Sequence, residues 1–339
     1  MTARALFWVH DPEAPSFRHR LAAHVPALER AGIACEVETF PRRRYLLRIL
    51  ERAPRLADFD LLVIAKFKLE TGERAAVRRR ARRIVYDFDD AIYFGKPERP
   101  GEEPDRSPRR VRKFRATCAI ADLVTAGNRT LADAARPFAR RVEVVPTGID
   151  LAGYPDGAPG SPGGARIAWI GLPGNLPYLS IVEAALARVA ARRPALRLTV
   201  VSQRPPASFA APVEFVPWSK ETEAPALASC DVGIMPLEED DWTRGKGGFK
   251  LLQYMAAGLP TIASPVGVNR EITLDGETGF LASSPEEWER AIERLLGDAA
   301  LRRRMGLAGR RRVEENYAMP IVAKTLVNLY RDLLERTPG

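Results

Sequence analysis

The chain predicts an α/β fold: two Rossmann-like, doubly wound domains, each built on a parallel sheet. Three observations carry this. Short apolar, β-branched runs alternate with helix-length polar stretches, the order of a parallel sheet with helical crossovers. The runs lack the two-residue alternation of half-exposed strands, so they read as strands buried on both faces. A Gly/Pro-rich stretch with no apolar period, residues 152–165, then interrupts the pattern, and the pattern restarts beyond it. With 339 residues, 46% of them apolar, the chain is long enough for two cores.

In order, strands are expected over ALFWV (5–9), CEVETF (35–40), LLVIA (61–65), IVY (84–86), LVT (123–125) and VEVV (142–145), with a helix over 17–31 that Gly32 ends. After the linker come strands at 166–170, 196–201, 213–215, 232–235 and 261–263, and helices at 179–192, 286–296 and 301–315. A last helix, 321–334, is set off by Ala318-Met319-Pro320. The expected parts are residues 1–151, a linker 152–165, residues 166–318, and a terminal helical segment 319–339. Ligands of such sheets bind outside the carboxyl ends of the strands, so two facing domains make a cleft.

Composition narrows the function. No apolar run reaches the length of a membrane span, and the first strand runs straight into His10-Asp11, unlike a signal peptide. Cys35, Cys118 and Cys230 are far apart with no metal spacing, which fits a reducing, cytoplasmic setting. The net charge of +9 is uneven: residues 1–150 carry 30 Lys and Arg against 21 Asp and Glu, while the remainder balances. Arginine clusters at 42–44, 78–83 and 109–115 read either as solvated helix faces or as attraction to an anionic membrane surface or acceptor. Nucleic acid is not expected, because the basic residues lack interleaved aromatics.

The most informative stretch is 233–279. It places Arg244, Lys246, Gly247, Gly248, Phe249 and Lys250 at the start of a helix that Ala257-Gly258-Leu259-Pro260 closes. A helix N-terminus presents free N–H groups and the positive end of a dipole. Glycines let the backbone approach a ligand, and lysine is a point-charge partner for phosphate. The stretch therefore reads as a diphosphate cradle, with surface lysines as the plainer alternative.

Several segments together resemble the GT-B retaining glycosyltransferases, the family 4-like group of bacterial polysaccharide clusters. They are DVGIMPL (231–237), GKGGFKLLQYMAAG (245–258), LPTIASPVGV (259–268) and EITLDGETGFL (271–281), with VYDFDDAIY (85–93), ADLVTAGN (121–128) and VVPTGID (144–150) in the first half. The resemblance implies a nucleotide-diphosphate sugar donor held by the second domain and a glycan, lipid-linked or small-molecule acceptor held by the first. It also implies a last helix that crosses back onto the first domain, and no metal or other cofactor. One departure stands out: relatives carry two glutamates eight positions apart where this chain has Gly245 and Gln253. The usual basic pair after the first strand of the second domain is also missing, replaced by Gly171-Leu172-Pro173-Gly174-Asn175.

On this reading Gly171, Pro173 and Asn175 line the donor site, Trp218 covers the nucleobase and backbone groups of Val216 read its edge, Trp218 reading equally as ordinary packing. Gln253 offers an amide donor and acceptor to a hydroxyl. The cluster Asp87, Asp89 and Asp90 follows a buried strand, and helix capping accounts for one of the three. Asp89 and Asp90 are candidate catalytic groups with Lys246, orienting an acceptor hydroxyl or stabilising charge at the anomeric carbon. His10, Arg18 and Arg20 are candidates for the acceptor, His10 reading equally as a structural histidine. Glu238–Asp241 reads as a solvated acidic loop that pairs with Arg244. The expected activity is retaining, metal-independent sugar transfer in polysaccharide biosynthesis. The alternative is a degenerate, non-catalytic nucleotide-binding or scaffold protein, prompted by the two absent glutamates.

Overall fold

The computed structural model describes residues 2–40, 45–154 and 165–336. The expected linker falls almost entirely on residues 155–164, and the basic cluster 42–44 also lies outside the described residues. The strands are β1 (Ala3–Val9), β2 (Ile33–Thr39), β3 (Leu61–Ala65), β4 (Ile84–Phe88), β5 (Leu123–Ala126) and β6 (Val142–Val144). The second half adds β7 (Arg166–Ile170), β8 (Arg197–Ser202), β9 (Val213–Pro217), β10 (Val232–Met235), β11 (Thr261–Ala263) and β12 (Gly279–Leu281). Among the described residues these form two six-stranded sheets, ordered β2-β1-β3-β4-β5-β6 and β12-β11-β10-β7-β8-β9, with every pairing parallel.

Burial explains why the strands read as continuous apolar runs. All residues of β3, β4, β5 and β10 are buried, because helices cover both faces. In each sheet the strand order reverses once, between β1 and β3 in the first and between β7 and β10 in the second. Crevices at such reversals open at the carboxyl ends of the strands. His10 and Lys66 follow β1 and β3; Gly171 and Pro236 follow β7 and β10.

Two expectations need correction. The helix over 17–31 is broken into Pro15–Arg20, a 3₁₀ turn Ala22–His24, and Val25–Arg30. Pro26 sits in the first turn of the last piece, where a missing N–H and a fixed φ are tolerated, whereas mid-helix they are not. Strand β12 went unpredicted: three residues opened by a glycine make no visible apolar run, yet it pairs with β11 in register. Gly279 has no room for a side chain, since a Cβ there would lie 2.0 Å from the Thr261 carbonyl oxygen.

The last helix, Met319–Glu335, packs on the first sheet. Val322, Leu326, Tyr330 and Leu333 join Phe7, Val63 and Val85 in one core cluster. Arg83 closes the far end of this helix by donating to the carbonyls of Leu333 and Arg336. The chain therefore passes between the halves twice, and the passages lie side by side: Ile149 N–H donates to Tyr317 O, and Met319 N–H donates to Ile149 O, both at 2.9 Å.

Arg20 is a structural residue, which corrects its assignment to the acceptor. It is 2% exposed. Its Nε donates to Asp87 Oδ2 at 2.7 Å, and its other nitrogens donate to Val145 O and Thr125 O. Asp87 also accepts from Thr125 Oγ1 at 2.6 Å. One guanidinium thus ties the ends of β4 and β5 to the segment after β6. Breaking a buried pair on one side leaves an uncompensated charge, which costs about 3–5 kcal/mol. Arg20→Met should lower the unfolding free energy by that amount, read as a lower urea midpoint at unchanged m, and an unchanged midpoint would make Arg20 a candidate ligand-binding residue again.

Candidate functional site

The site begins at the reversal in the second sheet. After β10 the chain turns through a 3₁₀ turn, Thr243–Gly245, and enters the helix Phe249–Ala256 through two glycines. Gly248, its N-cap, has φ +68°, and a Cβ there would stand 2.4 Å from Ile272 Cδ1, so both backbone and packing demand glycine. Gly247 has open space where a Cβ would sit, and it lines the cleft. Lys246, Gly247, Gly248, Phe249 and Lys250 line one cavity together with Asp89 and Asp90 from the other half.

Among the described residues Lys250 has no carboxylate acting on it, while Asp90 and Asp240 act on Lys246 without pairing with it. Lys250 Nζ lies 3.9 Å from the centre of the Trp169 ring. It also presses on Gly171, where a Cβ would come within 2.6 Å of Nζ. Burial, then Lys246 and Lys96, hold its ammonium well below the ordinary lysine range. Lys246 faces Tyr178 and approaches Asn175 Oδ1 at 3.4 Å. Its pKa is also lowered, first by burial, with Asp90 opposing. Among the described residues neither lysine has an ion pair. A pair of desolvated cations at a glycine-started helix N-terminus is an anion site in chemical terms.

Beyond Lys250 the cleft widens to a cavity of about 340 Å³ lined by Trp218, Glu223, Gln253 and Arg18. Glu223 is its centre. It accepts from Trp218 Nε1 at 2.8 Å, Gln253 Nε2 at 2.7 Å and Tyr154 Oη at 2.8 Å. No pattern in the sequence marked Glu223; it lies 30 residues from Gln253 and only the fold joins them. A carboxylate therefore stands beside the glutamine that occupies the second glutamate position. At the first position no side chain fits: a Cβ on Gly245 would lie 2.7 Å from Ala91 Cβ and 2.9 Å from Ala91 N.

The first half supplies the facing wall. Asp89 and Asp90 follow β4, and both pair with Lys66, at 2.7 and 2.5 Å. Neither they nor Asp87 caps a helix, because the next helix begins only at Pro108. Burial favours the neutral Asp90 carboxyl, but Lys66, Lys246 and Lys96 hold it below the usual range. Lys66 was not legible as a site residue. It has φ +64°, the one non-glycine residue in the left-handed region among those described. Backbone of this kind persists where the surroundings impose it, as functional sites do.

The remaining predicted residues divide. Asn175 lines both cavities of the cleft. His10 lines the first-half crevice, with Nδ1 2.9 Å from Phe40 O and its ring 4.8 Å from Phe67. Arg18 lines the Trp218 cavity and not the first-half crevice that His10 lines. Arg244 is turned to Glu239 and Asp241, at 3.2 and 3.1 Å, and braces the acidic loop; it does not reach the cradle. Pro173 opens a 3₁₀ turn and lines a neighbouring groove with Ser180 and Arg204. Val216 lies in the β8–β9 ladder with its side chain against the core, which leaves only its backbone for the contact expected of it.

The halves are in contact across this cleft. Asn128 Nδ2 donates to Gly245 O at 3.1 Å and to Lys246 O at 3.0 Å. Lys96 Nζ donates to Gly174 O at 2.8 Å, and His19 stacks at a tilt on Phe249 at 4.8 Å.

Comparison with known proteins adds to this geometry. Residues 169–298 match the family model described as glycosyl transferases group 1. A D-inositol 3-phosphate glycosyltransferase of Nocardia farcinica is 29% identical over 198 residues, 49% of this chain and 42% of the relative. The chain spans less than half the length of the curated relatives it first matches. Sucrose-phosphate synthase from Thermosynechococcus elongatus superposes with a TM-score of 0.74 at 17% identity, over 98% of this chain and 99% of that one. HepE of Anabaena, solved with UDP-glucose, superposes with a TM-score of 0.71 at 13% identity, over 97% and 99%. These likenesses show a GT-B fold across the whole chain and family sequence in its second half.

The lysines also generate a pH prediction. An anion bound at Lys250 restores its ammonium, so its pKa rises on binding and a proton is taken up. Inorganic diphosphate should therefore bind with net proton uptake, read by calorimetry in buffers of different ionisation enthalpy. Affinity should fall as pH climbs from the free toward the bound pKa. Because diphosphate carries titratable protons of its own, the uptake is compared with that of Lys250→Met; an equal value in the two proteins would mean that Lys250 does not meet the anion.

Proposed function

We propose, for a chain that is a GT-B, family 4-like glycosyltransferase in its fold and in the sequence of its second half, that it transfers a sugar from a nucleotide-diphosphate sugar to an acceptor hydroxyl with retention of configuration. The observation that carries this is the pair Lys246 and Lys250: desolvated, without an ion pair among the described residues, and lining the cleft at the start of a glycine-capped helix. HepE, of the same fold, was solved with UDP-glucose. The diphosphate lies on the two lysines and the N–H groups of the Gly247–Gly248 turn. The nucleoside extends toward Trp218, where the Glu223 carboxylate accepts from ribose hydroxyls in the place of the absent family glutamate.

In the transfer step the bond from the anomeric carbon to the diphosphate oxygen breaks as that carbon bonds to the acceptor oxygen on the same face. The acceptor proton passes to the departing diphosphate oxygen, so no protein nucleophile is required. Lys246 and Lys250 stabilise the charge that develops on the leaving group. Asp90, held ionised between Lys66 and Lys246, faces the developing positive charge on the sugar, and Asp89 orients the acceptor from the first half. Closure of the halves keeps water from the donor. No metal is assigned a role. The reaction belongs to polysaccharide assembly on the cytoplasmic side, with peripheral contact between the basic half and an anionic membrane surface. None of the described helices is long and apolar enough to cross a membrane.

Lys246→Ala should keep its melting temperature and lose turnover by about 10²–10³-fold, the usual cost of removing one preorganised electrostatic group. Near-wild-type turnover in the folded variant would remove the cradle from the mechanism. Transfer should be unaffected by EDTA; loss of activity restored by magnesium or manganese would assign a metal to the Asp89–Asp90 pair. A thermal-shift screen against nucleoside diphosphates and their sugars separates catalysis from scaffolding: ligand stabilisation with no transfer or hydrolysis would support a non-catalytic nucleotide-binding protein.

A further inference from the structure

We propose that the basic bay beside the carboxyl ends of β1 and β3 takes a phosphate group carried by the acceptor, and that Lys68 is the side chain that reads it. The proposal rests on the reading of the first half as the acceptor side. The bay, about 550 Å³, is lined by His10, Lys66, Lys68, Glu70, Arg109 and Lys113. Its neighbour shares His10 and Lys66 with it and runs on to Asp89, and Asp89 also lines the cradle cavity. A path of three adjoining cavities thus leads from the bay to the two lysines of the cradle.

The charges in the bay are unequal in how they are satisfied. Lys66 is taken by Asp89 and Asp90. Arg109 and Lys113 share the Glu70 carboxylate. The Glu73 carboxylate is turned to the Glu70 backbone N–H, closing a helix cap. Lys68 is left over. Its Nζ donates to Ile92 O at 2.9 Å, and among the described residues it has no carboxylate partner. Burial first, and then the charges of Arg110, Lys113 and Lys66, push its ammonium down to about 8, while the Glu70 and Glu73 carboxylates of the bay are engaged elsewhere. An ammonium has three donors, and one carbonyl uses one of them. A phosphate oxygen set supplies the others and relieves the repulsion.

The other cations around the bay are already paired, which sets Lys68 apart. In the 78–83 cluster, Arg78 pairs with Asp122, Arg82 with Asp60, and Arg83 with the end of the last helix. On the helix Pro108–Ile120, Arg109 and Lys113 line the bay and pair with Glu70, and Arg110 pairs with Asp105. One diphosphate does not span the bay and the cradle, because the acidic pair Asp89 and Asp90 stands between them. Two anionic groups on two molecules fit: the donor diphosphate at the cradle and a phosphate of the acceptor in the bay.

The test titrates sodium diphosphate into protein already saturated with UDP. A second binding event is expected, weakened about tenfold or more in Lys68→Met, as the loss of one charge-assisted hydrogen bond implies, and retained in Lys68→Arg. If Lys68→Met does not fold, the double variant Arg109→Gln with Lys113→Gln carries the same comparison. Vesicles containing phosphatidylglycerol distinguish the source: binding that Lys68→Met abolishes assigns the phosphate to a lipid headgroup, and diphosphate binding without vesicle binding assigns it to a soluble acceptor. Absence of the second event with UDP bound, or an equal event in folded Lys68→Met, overturns the proposal. Failure of UDP to bind strikes the donor reading instead, and diphosphate titrated alone still reads the bay through Lys68→Met.

Discussion

The geometry of the cleft depends on one side-chain amide. Asn128 is 2% exposed and uses both ends of its amide. Its Oδ1 accepts from Leu131 N–H, which starts the helix Arg129–Ala135 in the first half. Its Nδ2 holds the carbonyls of Gly245 and Lys246 in the second. The backbone that presents Lys246 to the cleft is therefore seated by the same group that caps a helix of the opposite domain. The glycine at 245 follows from this seating, because Ala91 fills the space a side chain would need. The absent glutamate is thus a matter of contact between the halves as well as of chemistry.

Charge is layered across the cleft. On one side stand Lys246 and Lys250, and on the other the cations around Glu70. Between them Lys66 gathers Asp89 and Asp90 into one neutralising cluster. Without Lys66 the two carboxylates would repel each other and the approaching phosphates; without the carboxylates, the positive groups would merge into one undifferentiated field. The strained backbone at Lys66 fits this position, since its ammonium must reach back over the end of β4.

How much was legible in the sequence depended on range. Strands buried on both faces announce themselves as apolar runs, so the two sheets and their division were readable. The glycine–lysine turn that opens the helix Phe249–Ala256 was readable because its parts lie within five residues. Glu223, Lys66 and Lys68 were not, because their meaning comes from partners brought near by the fold. Arg20 misled for the same reason: an arginine at the start of a helix after the first strand looks like a ligand for anions, and only the structure shows Asp87, 67 residues on, already occupying it. Arg244 looked like a third phosphate ligand until the loop it braces was seen. Helix 17–31 was over-read because its periodicity continued through Pro26.

The paired crossings at Ile149 and Ala318 have a mechanical consequence. A body joined to another by one strand is free to swivel about it in any direction. Two chains hydrogen-bonded side by side form a strip, and a strip bends readily about one axis while it resists twisting and sliding. Bending about such a strip is the easiest relative motion of the halves, and any opening by that route has to break the bonds from Asn128 to Gly245 O and Lys246 O. Gly148, whose missing side chain leaves room for Met319 and Val322, lies at the pivot.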